Sequence, residues 1–287
     1  MNKLLPDYNA PSALSALLAE QGFSMQKKFG QNFLINEHIR GELVHALALS
    51  PSDCVWEVGA GLGAITNLLL KTGADVTAFE IDRGFTRLLR EYFGGYSHFT
   101  LIEGDVLKTW HAAYQRRKPS AFFGNLPYNI AAKIIADCIE AGCLFDRMVV
   151  TVQKEVGMRM SAAAGSADYS SFSVLCQRYY TIKPIRDIAP TAFWPKPRVE
   201  SRALLLQKQE HPLQAKNNHV FLSIVRALFS ARRKTIKNNL AAWLNAAGKQ
   251  NVCVEDILTR AELAPTVRAE TLTVYDFIRL SDILSEL

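Results

Sequence analysis

The chain has 287 residues, 49% of them hydrophobic, and a formal net charge of +6. That apolar content supplies one large core with a smaller appendage. No stretch approaches the roughly 20 apolar residues of a membrane span and no secretory pattern opens the sequence, so a soluble, cytoplasmic protein without a membrane partner is expected. The basic balance favours a polyanionic partner without identifying one. The five cysteines, Cys54, Cys138, Cys143, Cys176 and Cys253, are odd in number and lack C-x-x-C spacing, which points to reduced buried thiols and to no metal site.

Residues 1–24 form a leader in which Leu14, Leu17 and Leu18 have the spacing of a short docked helix. A helix is expected over 36–49, with Ile39, Leu43, Val44 and Leu47 on one face. Strands are expected at 54–58, 75–81, 99–102, 121–123 and 147–153, and a late one at 199–206. Helices are expected at 64–72 and 131–141. This alternation is the βαβ pattern of a parallel sheet. Near Glu210-His211-Pro212 the texture changes, and from His219 onward Phe221, Val225, Leu228, Leu240 and Leu244 read as helices. The expected organisation is therefore the leader, an α/β domain over 25–210, and a small all-helical domain over 211–287.

Glu57-Val58-Gly59-Ala60-Gly61-Leu62-Gly63 lies between an expected strand and an expected helix. Glycines there let the backbone turn sharply and approach a ligand. Glu80 ends the next strand, where a carboxylate accepts hydrogen bonds from ribose hydroxyls. On this motif alone a dinucleotide-binding dehydrogenase stays open. Glu57 just before the first glycine can orient the loop, and Asp105 after the third strand can hold an adenine amino group. Both suit S-adenosylmethionine, which has no pyrophosphate for the helix N-terminus to cradle.

Gly124-Asn125-Leu126-Pro127-Tyr128 follows the fourth expected strand, at the sheet edge where open α/β folds bind ligands. Methylation of an adenine amino group needs hydrogen-bond acceptors, because the N6 lone pair is delocalised into the ring. The Asn125 side-chain oxygen and the Leu126 carbonyl, stiffened by Pro127, supply two. Tyr128 can stack on the base. Position and electrostatics then suffice without a strong base.

Together these segments resemble the ribosomal RNA adenine N6-dimethyltransferase family, most closely its branch acting on small-subunit RNA. The resemblance runs over about residues 25 to 285. It is carried by Lys28-Phe29-Gly30-Gln31-Asn32-Phe33-Leu34, the glycine loop, Glu80-Ile81-Asp82, Gly104-Asp105-Val106, Asn125-Leu126-Pro127-Tyr128, Val152-Gln153-Lys154-Glu155-Val156, Phe193 to Ser201, and Arg232-Arg233-Lys234-Thr235-Ile236. It implies a Rossmann-like S-adenosylmethionine-dependent methyltransferase sheet with a small helical C-terminal domain that helps engage RNA. It further implies cofactor contacts at Asn32, Leu34, Gly59, Gly61, Glu80, Ile81, Asp105, Val106 and Asn125, and a target base held between Tyr128 and Phe193. Lys27 and Lys28 flank the entrance segment. Arg232, Arg233, Lys234 and Lys237 place four cations in six residues, a pattern suited to phosphate contacts. The implied partner is small-subunit (16S) ribosomal RNA, or a small subunit in assembly, met by a monomer. The sister branch that methylates large-subunit RNA and confers macrolide-type resistance shares most of these motifs. A nucleic-acid-binding relative without turnover is a further alternative. Leu126 and the Arg-Arg-Lys-Thr-Ile segment favour the small-subunit branch, and the intact Glu80, Asp105 and Asn125 set favours catalysis. Two features depart from the family pattern: the long leader, and the glycine and methionines of 157–160, which put local helix packing in doubt.

Overall fold

Every residue of Cys54–Val58 is buried in the computed structural model, which describes residues 4–22 and 31–287. A run buried on both faces belongs in the middle of a parallel sheet covered on each side by helices, and that is its position. In chain order the elements are α1 (Pro11–Glu20), β1 (Phe33–Leu34), α2 (Glu37–Ala46), β2 (Cys54–Val58), α3 (Ala64–Leu70), β3 (Asp75–Glu80), α4 (Arg83–Phe93), β4 (Phe99–Glu103), α5 (Val106–Arg116), β5 (Ala121–Asn125), α6 (Ala131–Glu140), β6 (Arg147–Gln153), α7 (Lys154–Ser161), α8 (Ser171–Gln177), β7 (Tyr180–Ile188), β8 (Phe193–Trp194), β9 (Ser201–Lys208), α9 (Asn218–Phe229), α10 (Ile236–Ala246), α11 (Val254–Arg260) and α12 (Val274–Leu284).

Seven strands form one sheet in the order β4-β3-β2-β5-β6-β9-β7. The first five of these run parallel, with Val55 opposite both Val76 and Ala121. β9 enters antiparallel to β6, with Ser201 opposite Gln153. The strand order reverses direction between β2 and β5, and ligands of open α/β sheets bind at the carboxyl ends beside such a switch point. β1 and β8 form a separate two-stranded ribbon that pairs Leu34 with Phe193.

The strands expected from the sequence occur within a few residues of their places. β7 was not expected: it lies at the sheet edge, is largely exposed and carries Pro184, a residue tolerated in edge strands but absent from central ones. Helices α4 and α5 complete the alternation, each capped by an aspartate at the end of the preceding strand region. Asp82 accepts from the Gly84 amide at 2.8 Å, and Asp105 from the Leu107 amide at 3.0 Å. The glycine that put 157–160 in doubt fits its helix closely. A Cβ on Gly157 would stand 3.1 Å from the Arg202 side chain, so a larger residue in α7 would make that side chain give way.

The described residues fall into two compact units whose division differs from a single cut near residue 210. One unit holds the described residues up to Gly157 together with Ile182–Gln207; the other holds Met158–Thr181 and Lys208–Leu287. The excursion at 158–181 joins the C-terminal helices because Tyr169 and Val174 bury in the same core as Phe221, Leu240 and Phe277. Arg178 also donates to the Leu213 carbonyl and to Asn218 Oδ1, with its guanidinium 4.3 Å from the Phe221 ring centre. The leader belongs to the first unit, where Leu14 and Leu18 enter the core beside Leu62 and Ile65.

Candidate active site

The carboxyl ends of β2, β3, β4 and β5 share one cleft of about 680 Å3, its open mouth included. Gly59 and Gly61 line it after β2, Glu80 and Ile81 at and after β3, Asp105 and Val106 after β4, and Asn125 and Pro127 at and after β5. Asn32 and Phe33 line it from the segment at β1. Of the sequence-predicted cofactor residues, only Leu34 is missing from this wall. It lies in the core and faces a neighbouring cavity that also touches Asn125 and Gly59.

Glu80 organises the cleft floor. Its Oε2 accepts from the Gly61 amide at 2.7 Å and its Oε1 from the Asp82 amide at 2.8 Å. The side chain is only 6% exposed, and burial pushes its pKa up to about 7 against the opposing pull of those two amides. Gly61 has a φ of +56°, and a Cβ there would press to 2.9 Å from the Phe33 ring, so the close approach of loop and aromatic depends on glycine. Glu57 does not face the cleft. It is 2% exposed, accepts from Thr66 Oγ1 at 2.6 Å, and ties the strand before the glycine loop to the helix after it. Burial pushes its pKa up to about 8.

These residues fit S-adenosylmethionine by the chemistry of their donors and acceptors. Glu80 offers a carboxylate whose two oxygens retain lone pairs beyond the two backbone amides, as a ribose diol requires. Ile81, 40% exposed although apolar, and Val106 present hydrocarbon to the same space, suited to the faces of an adenine ring. Asp105 uses Oδ1 to cap α5, which leaves its other oxygen for an amino group. The wall at β1 is aromatic: Phe33 stacks on Trp194 with ring centres 6.2 Å apart and meets the edge of Phe85 at 5.6 Å.

At the end of β5, Asn125 Nδ2 donates to the Asn32 carbonyl at 2.9 Å. That bond commits the amide's donor end to the β1 segment and leaves Oδ1 as an acceptor. Leu126 is buried and its amide donates to the Thr151 carbonyl on β6 at 3.2 Å, while Ile130 and Ala131 donate to the Pro127 carbonyl. The turn is thereby held on both sides. Tyr128 is half-buried just beyond the cleft lining, its Oη 2.6 Å from Ser201 Oγ on β9, and burial raises its pKa.

Several expected site residues lie elsewhere. Phe193 is 3% exposed and packs in the core opposite Leu34, away from the lining of the cleft, because its ribbon turns the ring inward. Lys27 and Lys28 lie outside the described residues. In the second unit the four expected RNA cations divide. Arg232 donates to the Ala167 and Tyr169 carbonyls at 2.8 and 3.3 Å, and Lys237 pairs with Glu255 at 2.5 Å, whereas Arg233 and Lys234 are simply exposed. The sequence did not single out Phe33, Phe85 or Ile130, all of which line the cleft. Phe33 sits between two residues that were singled out, and Phe85 lies three residues after the capping Asp82, so each had a positional signal but no chemical one. Among the described residues no helix is long and apolar enough to cross a membrane.

The model of the ribosomal RNA adenine dimethylase family matches residues 22–280. A protein of Treponema pallidum named ribosomal RNA small subunit methyltransferase A is 49% identical over 98% of this chain and 99% of its own length. Its counterpart in Treponema denticola is also 49% identical, over 98% and 97%. Among solved structures, a dimethyladenosine transferase from Plasmodium falciparum matches with a TM-score of 0.72 and 26% identity, covering 85% of this chain and 94% of the other. The 23S rRNA methyltransferase ErmE shares the fold, with a TM-score of 0.64 and 22% identity over 88% and 99%. With a cleft built for S-adenosylmethionine at the switch point of a Rossmann-like sheet, and with nearly its whole length matched, this chain belongs to the ribosomal RNA adenine dimethylase family.

Proposed function

We propose that the protein dimethylates the N6 nitrogen of adjacent adenines in small-subunit ribosomal RNA, acting in the cytoplasm as a monomer on RNA or on a small subunit in assembly. S-adenosylmethionine supplies a methyl group on a sulfonium sulfur, open to displacement by a nitrogen lone pair. Glu80 accepts the ribose hydroxyls, Asp105 accepts the adenine amino group of the cofactor, and Ile81 and Val106 flank its ring. Gly59 and Gly61 would bring backbone close to it, and Asn32 would hold its methionine end. Asn125 Oδ1 and the Leu126 carbonyl accept hydrogen bonds from the target N6 amino group, which draws the lone pair out of the ring and onto nitrogen as the methyl arrives. The proton leaves only after nitrogen has gained its methyl and become acidic, so water suffices to take it. Tyr128 stacks on the flipped base with its hydroxyl anchored to Ser201, and Phe193 supports the site from within the core. The helical second unit engages RNA phosphate through Arg233 and Lys234, with Lys27 and Lys28 contributing further cations.

The observation that carries this reading is the commitment of the Asn125 amide nitrogen to the Asn32 carbonyl, which presents the side-chain oxygen as an acceptor on the wall shared with Glu80 and Asp105. The 49% identity to the two Treponema proteins supports the small subunit over the large as substrate. The test offers radiolabelled S-adenosylmethionine with undermethylated small subunits, undermethylated large-subunit RNA or no RNA, followed by nucleoside analysis. Dimethyladenosine from small subunits is expected. Label confined to large-subunit RNA would move the protein to the resistance branch. RNA binding without label would make it a binding protein on a methyltransferase scaffold.

A further inference from the structure

Tyr8 and Arg40 tie the leader to two segments of the cofactor cleft. Tyr8 is buried, and its Oη donates to the Leu62 carbonyl at 3.0 Å. Leu62 lies inside the glycine loop, one residue after the amide that holds Glu80. Arg40, on α2, is also buried. Its guanidinium donates to the Leu34 carbonyl at 2.7 Å, to Asn9 Oδ1 at 2.7 Å and to the Tyr8 carbonyl at 3.5 Å. A buried cation satisfied mainly by carbonyl oxygens from two distant stretches fixes those stretches against each other, since each oxygen lost would leave charge unsatisfied. The leader is fastened at both ends as well: Asn9 Nδ2 donates to Glu37 at 3.1 Å and Arg87 to Gln21 at 3.1 Å. Tyr8, Leu14, Phe33, Leu34, Leu62 and Asn125 line one cavity beside the cleft, where the leader, the β1 segment and the glycine loop meet.

We propose that the leader, residues 8–20, is part of the cofactor site: docked, it holds the glycine loop and the Asn32–Leu34 segment in the shape that binds S-adenosylmethionine, with Tyr8 and Arg40 as positioning residues. The inference rests on the cleft being the cofactor site. Undocking releases the Leu62 carbonyl and the loop it belongs to, and the cofactor then binds only the fraction of molecules whose loop is formed. Linkage makes the effect reciprocal, so bound cofactor stabilises the docked leader by the same factor.

The experiment measures binding of S-adenosylhomocysteine by calorimetry to the full chain, Tyr8→Phe and Glu80→Ala, with methyl-transfer kinetics for the first two. Tyr8→Phe removes one hydroxyl and is expected to weaken binding about threefold to tenfold. KM for S-adenosylmethionine should rise to match, while kcat at saturating cofactor stays within about twofold, a split that general loss of folded protein does not produce. Hydrogen exchange on the unaltered protein gives a second reading that needs no variant to fold: backbone amides of 8–20 should exchange more slowly with S-adenosylhomocysteine bound. Unchanged affinity in Tyr8→Phe, or leader exchange indifferent to the ligand, overturns the proposal. If Glu80→Ala loses binding in that case, the cleft remains the cofactor site. Normal binding by Glu80→Ala removes both the site and the proposal that rests on it.

Discussion

Replacing Glu80 by glutamine separates charge from shape at the centre of the cleft. The carboxylate is buried, held by the Gly61 and Asp82 amides, and its pKa is pushed up to about 7. Two ribose hydroxyls donating to the ionised form would lower that pKa in the complex. Binding then consumes the ionised form and expels a proton wherever the free protein is protonated. At pH 6, one unit below the free pKa, S-adenosylhomocysteine should bind about tenfold more weakly than at pH 8, where ionisation is complete. The sign is opposite for folding of the free protein. A carboxyl whose pKa is raised on folding adds stability at low pH and loses it as pH rises through about 7. Glutamine has no charge and keeps a single acceptor oxygen, so one of the two amides faces a donor. Losing the charge-assisted part of the hydrogen bonds that the two ribose hydroxyls donate costs about 2–4 kcal/mol, or roughly 30-fold to 1000-fold in Kd at pH 8. Calorimetry at pH 6 to 8, repeated in buffers of different ionisation enthalpy, reads affinity and proton release together. The unaltered protein should release about three-quarters of a proton near pH 6.5, and Glu80→Gln none. An affinity flat from pH 6 to 8 in the unaltered protein, or an unchanged Kd in Glu80→Gln, would refute the reasoning.

Asn125→Ala removes the acceptor at the end of β5 and the bond to Asn32; methyl transfer should fall by about 100-fold or more while S-adenosylhomocysteine binding is weakened but retained, and full activity in that variant sinks the role given to Asn125. Glu57→Gln should be more stable than the unaltered protein at pH 9, because a buried carboxyl with its pKa pushed up to about 8 adds stability at low pH that is lost between about pH 4.5 and 8, a swing of order 5 kcal/mol. Urea unfolding at pH 5, 7 and 9 checks this, and an equal loss at every pH in the variant speaks against it. Arg233→Ala should weaken RNA binding and lower its salt dependence without moving Tm, whereas Arg232→Ala should lower Tm because it frees the Ala167 and Tyr169 carbonyls; identical effects from the two variants would contradict the division between them.

What the sequence made legible follows a physical divide. Glu80 and Asn125 end their strands and Asp105 comes just after its own, and in a parallel sheet the ends of neighbouring strands converge whatever the side chains between them do. Local pattern therefore placed three chemical groups on one wall without any long-range information. Phe33 and Phe85 reach the same cleft by packing between segments about fifty residues apart, which no local periodicity records. The same limit explains the excursion at 158–181. Its residues, two short helical stretches joined by a loop, carry no local mark of their unit, and only the shared burial of Tyr169 and Val174 with Phe221 assigns them to the second one. Charge is the least legible property of all. Arg232 and Arg233 are adjacent and chemically identical, yet one guanidinium closes on two carbonyls while the other stays in solvent.

The leader shows how the two kinds of information combine. Its leucine spacing announces a helix with one buried face, and Leu14 and Leu18 are buried. That much is a statement about stability. What connects it to the cleft is a single phenolic hydroxyl and a guanidinium, neither of which belongs to the helix or to any motif. Apolar periodicity reports where a segment buries its surface. Long-range polar bonds report which other segments it holds in place, and in this chain those are the glycine loop and the carbonyl of Leu34. A segment that looks like an appendage by composition thus becomes, through two polar side chains, part of the scaffold on which the Glu80 carboxylate is held.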